Sequence, residues 1–278
     1  MKTNPFKLFL PLLALPPLFF GCASKATRDY ETTEITLGKA DFQVRISKYS
    51  ADKPSKKSLL IMPPTGGTNF IDRSYARRFS KSGYDVYILD GWSGMNEQAT
   101  DLELHQRLYT NAQKAIRIVL DHIKSPYIGL LGTSVGALHG AVAASTQDRI
   151  NSVFIIVGGA PIAEVIITSD QKAMVELKKA RKERYQFKTD EEYRLALDKA
   201  FQLEPMKLGN QYQNKALGMA IALEDETVPT MTQVQLKNFW KPTKVVNYTS
   251  GHFWGIIKTW WYDEDIVYDF FEEHLSKK

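Results

Sequence analysis

The residues of this chain that could do chemistry are a serine, a histidine and a run of carboxylates, in that spread along the sequence. Ser134 stands at the centre of Gly132-Thr133-Ser134-Val135-Gly136, Glu224-Asp225-Glu226 follows much later, and His252 comes after Ser250-Gly251. A hydroxyl attacks a carbonyl when an imidazole takes its proton and a carboxylate orients that imidazole. Backbone N–H groups must also receive the developing oxyanion. The pentapeptide follows an apolar run, Tyr127 to Leu131, and precedes a run of small helix-compatible residues, Ala137 to Ala144. Strand, sharp turn and helix in that order make a nucleophile elbow. Gly132 and Gly136 are expected there because side chains would collide with the neighbouring strand and helix. The bland alternative for Ser134 is a plain helix N-cap.

Five histidines compete for the role of base. His105, His122 and His139 fall inside helical stretches, the first two expected on the surface, and His274 is near the end of the chain. His252 alone lies in a strand-to-helix loop beside a glycine. Three carboxylates, Glu224, Asp225 and Glu226, compete to orient it. The oxyanion donors need a loop of exposed N–H groups. Pro63-Pro64-Thr65-Gly66-Gly67-Thr68-Asn69 follows the apolar run Ser58 to Met62 and can supply one. No Lys-Ser/Thr follows those glycines, so a phosphate cradle is not expected. An oxyanion loop or a tight turn needing positive φ are the readings left.

A resemblance narrows these choices. Asp225-Glu226-Thr227-Val228-Pro229 resembles the Asp-x-x-Val-Pro pattern of the α/β-hydrolase family. Ser250-Gly251-His252-Phe253 resembles its catalytic-histidine loop, and Gly132 to Gly136 its elbow. The likeness spans Glu34 to Leu275. It implies Ser134 as nucleophile, Asp225 as orienter and His252 as acid and base. The backbone N–H of Val135 would be one oxyanion donor, and the Thr65-Gly66-Gly67 loop would give the other through Gly66 or Gly67. Many members carry His-Gly where this chain has Thr65-Gly66. The implied reaction is two-step acyl transfer on a small or lipid-like ester, with no metal and no organic cofactor. Thioesters and amides yield to the same machinery, so a thioesterase or peptidase stays open. So does a catalytically silent binding module, because fold alone does not fix function.

These side chains need elements to hold them. Glu34 to Gly38 and Asp41 to Tyr49 alternate polar and apolar residues, as two antiparallel strands at a sheet edge would. Ser58 to Met62, Tyr84 to Leu89, Tyr127 to Leu131, Val153 to Val157 and Ala216 to Leu223 are apolar runs typical of strands buried on both faces. A further strand is expected at Lys244 to Tyr248. Helices are predicted over Ile71–Ser82, Asp101–Lys124, Met231–Trp240 and, as one piece, Ile256–Leu275. Alternation of strand and helix predicts a mostly parallel sheet covered on both faces. Asp90 to Gly94 reads as a loop at a strand's carboxyl end, where Trp92 either lines a pocket or packs. Residues 163–214 break the alternation and read as a helical lid inserted after a strand. A capping box at Thr189 to Glu192 starts a helix running to about Leu203. The basic run Lys178 to Arg184 reads as a solvated face, with contact to anionic lipid headgroups as the alternative. The aromatics Trp260, Trp261, Tyr268, Phe270 and Phe271 read as a docking surface rather than a cofactor box.

The whole chain has 278 residues, 44% of them apolar, enough for one large domain or one domain with an insert. Its net charge of +5 falls to about +3 once Lys2 and Lys7 are set aside, which gives no reason to invoke nucleic acid. Cys22 is the single cysteine, so no intrachain disulfide and no zinc-type cysteine cluster can form. Lys2, Lys7 and the apolar stretch Leu8 to Phe20 make a secretory leader of residues 1–21. Its prolines and its length argue against a spanning helix. Phe19-Phe20-Gly21-Cys22 resembles the lipobox of bacterial lipoproteins, with Phe19 where Leu is usual. That resemblance implies an acylated Cys22, a lipidated tether over residues 22–33, and a domain over residues 34–278. Ala23 after the cysteine implies the outer membrane of a bacterial envelope. An ordinary leader cut near Ala23 is the alternative.

Overall fold

The computed structural model describes residues 32–95, 101–208 and 210–275. The expected leader and Cys22 lie outside those residues. In chain order the elements are β1 (Thr32–Lys39), β2 (Phe42–Tyr49), β3 (Lys57–Met62), α1 (Phe70–Lys81), β4 (Tyr84–Trp92), α2 (Leu102–His122), β5 (Tyr127–Thr133), α3 (Val135–Thr146) and β6 (Ser152–Ile156). There follow α4 (Ile162–Thr168), α5 (Lys172–Tyr185), α6 (Asp190–Ala200), a 3-10 turn at Asn210–Asn214, β7 (Ala216–Ala222), α7 (Thr230–Trp240), β8 (Lys244–Tyr248), α8 (His252–Trp261) and α9 (Glu264–Leu275).

The eight strands form one sheet in the order β1-β2-β4-β3-β5-β6-β7-β8. β1 and β2 are antiparallel, β2 and β4 are antiparallel, and every pair from β4 to β8 is parallel. The apolar runs of β3, β5, β6 and β7 are buried along nearly their whole length. That burial needs helices on both faces, and alternation along β6 shows which helices lie where. Val153 and Ile155 join α2, α3 and α7 in one apolar cluster. Phe154, pointing the other way, meets Phe270 of α9 with ring centres 5.3 Å apart. The chain winds from β3 outward to β4, then crosses back past β3 to β5. That reversal opens a crevice at the carboxyl ends of β3 and β5, the place where open α/β sheets hold ligands.

Several boundaries differ from expectation for identifiable reasons. Thr32 and Thr33, assigned to a tether, pair with Tyr49 and Lys48 in β1. Asp90, Gly91 and Trp92 are not a loop but the end of β4. The register shifts there, with Ile46 opposite Leu89 and Arg45 opposite Gly91, so Asp90 is the extra residue of a β-bulge. The expected C-terminal helix is two, because α8 ends at Trp261 and α9 starts at Glu264. The helix begun at Thr189 stops at Ala200, five residues before Pro205. Its cap is half of a capping box. Thr189 Oγ1 accepts from Glu192 N–H at 3.1 Å, but the Glu192 carboxylate takes the N–H of Lys188 instead of Thr189.

The segment between β6 and β7 carries α4, α5 and α6 and has its own apolar cluster. Ile162, Ile166, Tyr193, Leu197 and Phe201 gather there against Tyr109 of α2 and Val142 of α3. The basic run on α5 is only partly solvated, since Arg181 is completely buried. Its guanidinium donates to Tyr193 Oη at 3.1 Å, to the Asp101 carbonyl at 3.3 Å and to His105 Nδ1 at 2.8 Å. His105, expected on the surface, is buried by that same contact.

Candidate active site

Ser134 sits between β5 and α3 with φ 54° and ψ −117°. An L-residue is held at that positive φ only where its surroundings leave no alternative. Here the Ser134 N–H is fixed to the Ile156 carbonyl of β6 at 3.0 Å. The two glycines leave the room this turn requires. A Cβ on Gly136 would lie 2.1 Å from the Met62 carbonyl oxygen of β3, and one on Gly132 would lie 2.5 Å from the Gly136 carbonyl oxygen.

His252 is the first residue of α8, preceded by Gly251 as N-cap. Its Nε2 stands 2.9 Å from Ser134 Oγ, and its Nδ1 stands 2.7 Å from Asp225 Oδ2. An ionised carboxylate only accepts, so Nδ1 donates to Asp225 and Nε2 offers its lone pair to the Ser134 hydroxyl. Asp225 follows β7 and is almost wholly buried, whereas Glu224 and Glu226 are exposed. Three further donors hold its carboxylate. Oδ1 accepts from Thr227 N–H and Val228 N–H, each at 2.9 Å. Oδ2 also accepts from Gln233 Nε2 at 2.8 Å. The structure thus brings Ser134, His252 and Asp225 into one hydrogen-bonded row, with Val135 beside them at the start of α3.

The candidate oxyanion groups divide. The Val135 N–H is the first of a helix, one of the donors left without an intrahelical acceptor. Thr65, Gly66, Ser134 and Val135 all line one cavity. Gly67 does not serve as expected. Its N–H closes a turn onto the Pro64 carbonyl at 3.1 Å, and it is not part of the cavity wall. Gly66 and Gly67 both have positive φ, 98° and 85°. The tight-turn reading and the oxyanion reading of this loop are therefore compatible, one glycine to each. The loop is pinned by Asp90 of the β4 bulge, which accepts from Thr68 Oγ1 and from Ser47 Oγ.

The cavity holds about 270 Å³. Leu89, Trp92, Leu108 and Leu138 form its floor and sides, and Val165 and Met174 come from α4 and α5. Trp92 is a pocket residue, its ring edge-on to His139 at 5.9 Å. His105 and His139 also face this space. Burial pushes the His139 imidazole down to about 4. Burial, and then the Arg181 guanidinium, push His105 down to about 3. Both rings are therefore neutral at physiological pH and add no charge to the cavity wall. Among the described residues no group of His, Cys, Asp and Glu side chains converges as metal ligands would. Gln233 carried no signal in the sequence, and Asp90 only that of a loop at a strand's carboxyl end. One lies in an ordinary helix and the other acquires its position only through the bulge.

No family model matches the chain, and no curated protein matches it. Solved structures do. Esterase Pf2001 of Pyrococcus furiosus superposes with a TM-score of 0.60 at 16% identity, over 94% of this chain and 99% of that one. Acetyl xylan esterase 1 from Thermoanaerobacterium sp. JW/SL YS485 gives 0.66 at 14% identity, over 91% and 86%. Acylaminoacyl peptidase from Pyrococcus horikoshii gives 0.67 at 14% identity over 91% of this chain, which spans only 43% of the peptidase. At these identities the likeness is one of fold: the chain has the α/β-hydrolase fold.

Proposed function

We propose that this protein is a serine hydrolase that cleaves a carboxylic ester through an acyl-enzyme. The observation that carries the reading is the position of His252, within hydrogen-bond reach of Ser134 on one side and of Asp225 on the other. In this mechanism Ser134 Oγ attacks the ester carbonyl carbon as its proton passes to His252 Nε2. The C–O bond to the alcohol then breaks, and the protonated His252 returns that proton to the leaving oxygen. Water repeats the sequence on the acyl-enzyme, freeing the acid and Ser134. Asp225 keeps the imidazole in the tautomer that accepts at Nε2 and faces the positive charge that forms on it. The N–H of Val135 and that of Gly66 receive the oxyanion, each contributing on the order of 3 kcal/mol to lowering the barrier.

The apolar cavity beside Ser134 supports an acyl group as the part of the substrate that enters. Helices α4 and α5 supply part of its wall, which supports a lid role for residues 163–214. The sequence of residues 1–31 supports a removed leader, an acylated Cys22 and a short tether, holding the domain at the envelope of a bacterium, on its outer membrane. Several acyl chains on one residue anchor a protein stably where a single chain binds marginally.

The test joins covalent labelling with turnover. The parent protein reacts with a fluorophosphonate at Ser134 and hydrolyses short p-nitrophenyl esters. Ser134→Ala loses the label, and its turnover falls by roughly three orders of magnitude or more. A folded parent that takes no label is a binding module, and a Ser134→Ala protein of parental activity has its nucleophile elsewhere.

A further inference from the structure

Helix α8 buries one side only. Gly255 and Thr259 face the sheet, where a Cβ on Gly255 would stand 2.8 Å from the Ala222 Cβ. At about 100° per residue the opposite arc holds Phe253, Trp254, Ile257, Trp260 and Trp261. No polar side chain interrupts it. Phe253, Trp254 and Trp261 are 62%, 59% and 68% exposed, and Tyr262 follows at 73%. Phe70, itself 58% exposed at the start of α1, meets Trp260 edge-on at 5.2 Å and widens the stripe. Together these rings offer on the order of 600 Å² of apolar surface, at the upper end of what soluble monomers leave uncovered. The stripe begins at the residue after His252.

We propose that this face lies in the interfacial layer of a phospholipid bilayer, bringing the mouth of the Ser134 cavity to the membrane surface. Its composition fits that layer. Tryptophan and tyrosine rings pair an apolar body with a polar tip, and they gather where hydrocarbon meets headgroup. At ten residues α8 is too short to span a bilayer, and among the described residues no helix is long and apolar enough to do so. The helix therefore lies on the membrane. Charge agrees with that placement. The exposed face of α1 that starts with Phe70 continues in Arg73 and Arg77, and Lys258 sits on α8 itself. Helix α5 exposes Lys172, paired with Glu176 at 3.9 Å, and Lys179, and its Met174 lines the cavity wall. Cations so placed are drawn to anionic headgroups. A second copy of the chain is the weaker occupant, because stable interfaces cover about 800 Å² per partner. The chain before β1 also favours the bilayer. Residues 23–31 between Cys22 and Thr32 reach about 30 Å at most, so an acylated Cys22 confines the domain close to the lipid and a weakly binding face is enough.

As to substrate, this deepens the hydrolase reading: the ester comes from the lipid layer, carried by a molecule whose acyl chain enters the cavity from the membrane side. The docking itself needs neither a reactive Ser134 nor an acylated Cys22.

The full chain is mixed with vesicles of phosphatidylcholine and phosphatidylglycerol whose acyl chains are plain or brominated. Bromine quenches tryptophan only at close range, so a docked α8 loses roughly half its emission in the brominated vesicles. A Trp254→Gln, Trp261→Gln double variant keeps its far-UV spectrum and its rate on a soluble short ester. It loses most of the quenching, and its rate on an ester dissolved in the vesicles falls about tenfold. Equal emission in both vesicle types overturns the proposal, even when the protein floats with them, because an N-terminal anchor alone leaves the rings at a distance. Undiminished quenching in the double variant overturns it too, as does a dimer in sedimentation that only the variant abolishes. If the protein takes no fluorophosphonate yet is quenched as described, docking stands and the hydrolase reading fails.

Discussion

At the scale of single residues, Asp225 is the most constrained side chain of the site, and Gln233 is what completes its shell. Gln233 is fully buried on α7. Its Nε2 donates to Asp225 Oδ2 and to the Val228 carbonyl at 2.7 Å, and its Oε1 accepts from the Ala222 N–H at 3.2 Å. It thus grips the oxygen that holds His252 and the strand end from which Asp225 projects. Replacing Gln233 with Met removes both donors. The expected outcome is a kcat lowered roughly tenfold with KM little changed, and a stability loss of about 1–3 kcal/mol from the orphaned groups. Gln233→Glu keeps the shape, and because two buried carboxyls this close cannot both ionise, they share one proton in place of the amide donor. One donor to Asp225 is thus kept while the Val228 carbonyl loses its own, so kcat is expected to fall less than in the Met variant. An unchanged kcat in both variants, with only a lower melting temperature, would make Gln233 purely structural. Nothing in the sequence marks this residue, which sits eight positions past Asp225 in a helix of average composition. Ser134, Asp225 and His252 were legible because each is bound to a local backbone requirement: glycines about the serine, an Asp-x-x-Val-Pro turn, a glycine before the histidine. Contacts formed only by packing leave no such mark.

At the scale of elements, α1 shows a glycine loop and a helix start sharing one electrostatic arrangement. Asn69 caps α1 through Ile71 N–H and Asp72 N–H, and Asp72 Oδ2 reaches back to the Asn69 N–H at 2.9 Å. The cap follows directly on the loop that carries Gly66. Asp72 is buried, which raises its pKa from 3.8 to about 6, opposed by the Asn69 hydrogen bond and reinforced by nearby Asp90. A folded-state value above the unfolded one means that the native protein binds the proton more tightly. Stability from this group is therefore present below about pH 4 and lost as pH rises through 6. The shift corresponds to roughly 2–3 kcal/mol. Asp72→Asn keeps an acceptor for the Asn69 N–H without the buried charge. Urea unfolding at pH 5 and pH 8 is expected to show the variant more stable than the parent at pH 8, by more than at pH 5. A variant less stable at pH 8 would mean that the carboxylate's own hydrogen bond outweighs its burial. Strand β4 teaches the matching lesson about reading. Its apolar core predicts a strand to Leu89, but the bulge that carries it on to Trp92 depends on pairing with β2. Composition alone cannot reveal that Asp90 stands at the hinge of the loop.

At the scale of the whole molecule, the sheet and the helical segment after β6 differ in how they are held. The parallel strands β3, β5, β6 and β7 are covered on both faces, and their alternation with helices made this part of the fold readable in advance. The segment α4 to α6 rests on a small cluster and one buried cation. Its run of lysines and arginines looked like solvated surface, because burial of Arg181 is decided by His105 and Tyr193 from other helices. The two His105 contacts, to Arg181 and to the Phe201 ring at 5.0 Å, tie this segment to α2. They also put a neutral ring at the cavity wall. The segment should therefore open locally, at less cost than unfolding the sheet. Replacing Arg181 with Met removes the buried charge but leaves Tyr193 Oη and His105 Nδ1 without that donor, a penalty of about 1–3 kcal/mol confined to this region. Hydrogen exchange is expected to speed up about tenfold or more in α5, α6 and the first turns of α2, while β3, β5, β6 and β7 keep their protection. KM for a long-chain ester should rise, because a cavity wall is lost part of the time, whereas the rate of fluorophosphonate labelling at Ser134 should hold. Uniform acceleration across the sheet would show instead that the segment and the sheet unfold as one cooperative unit, leaving no lid able to move independently.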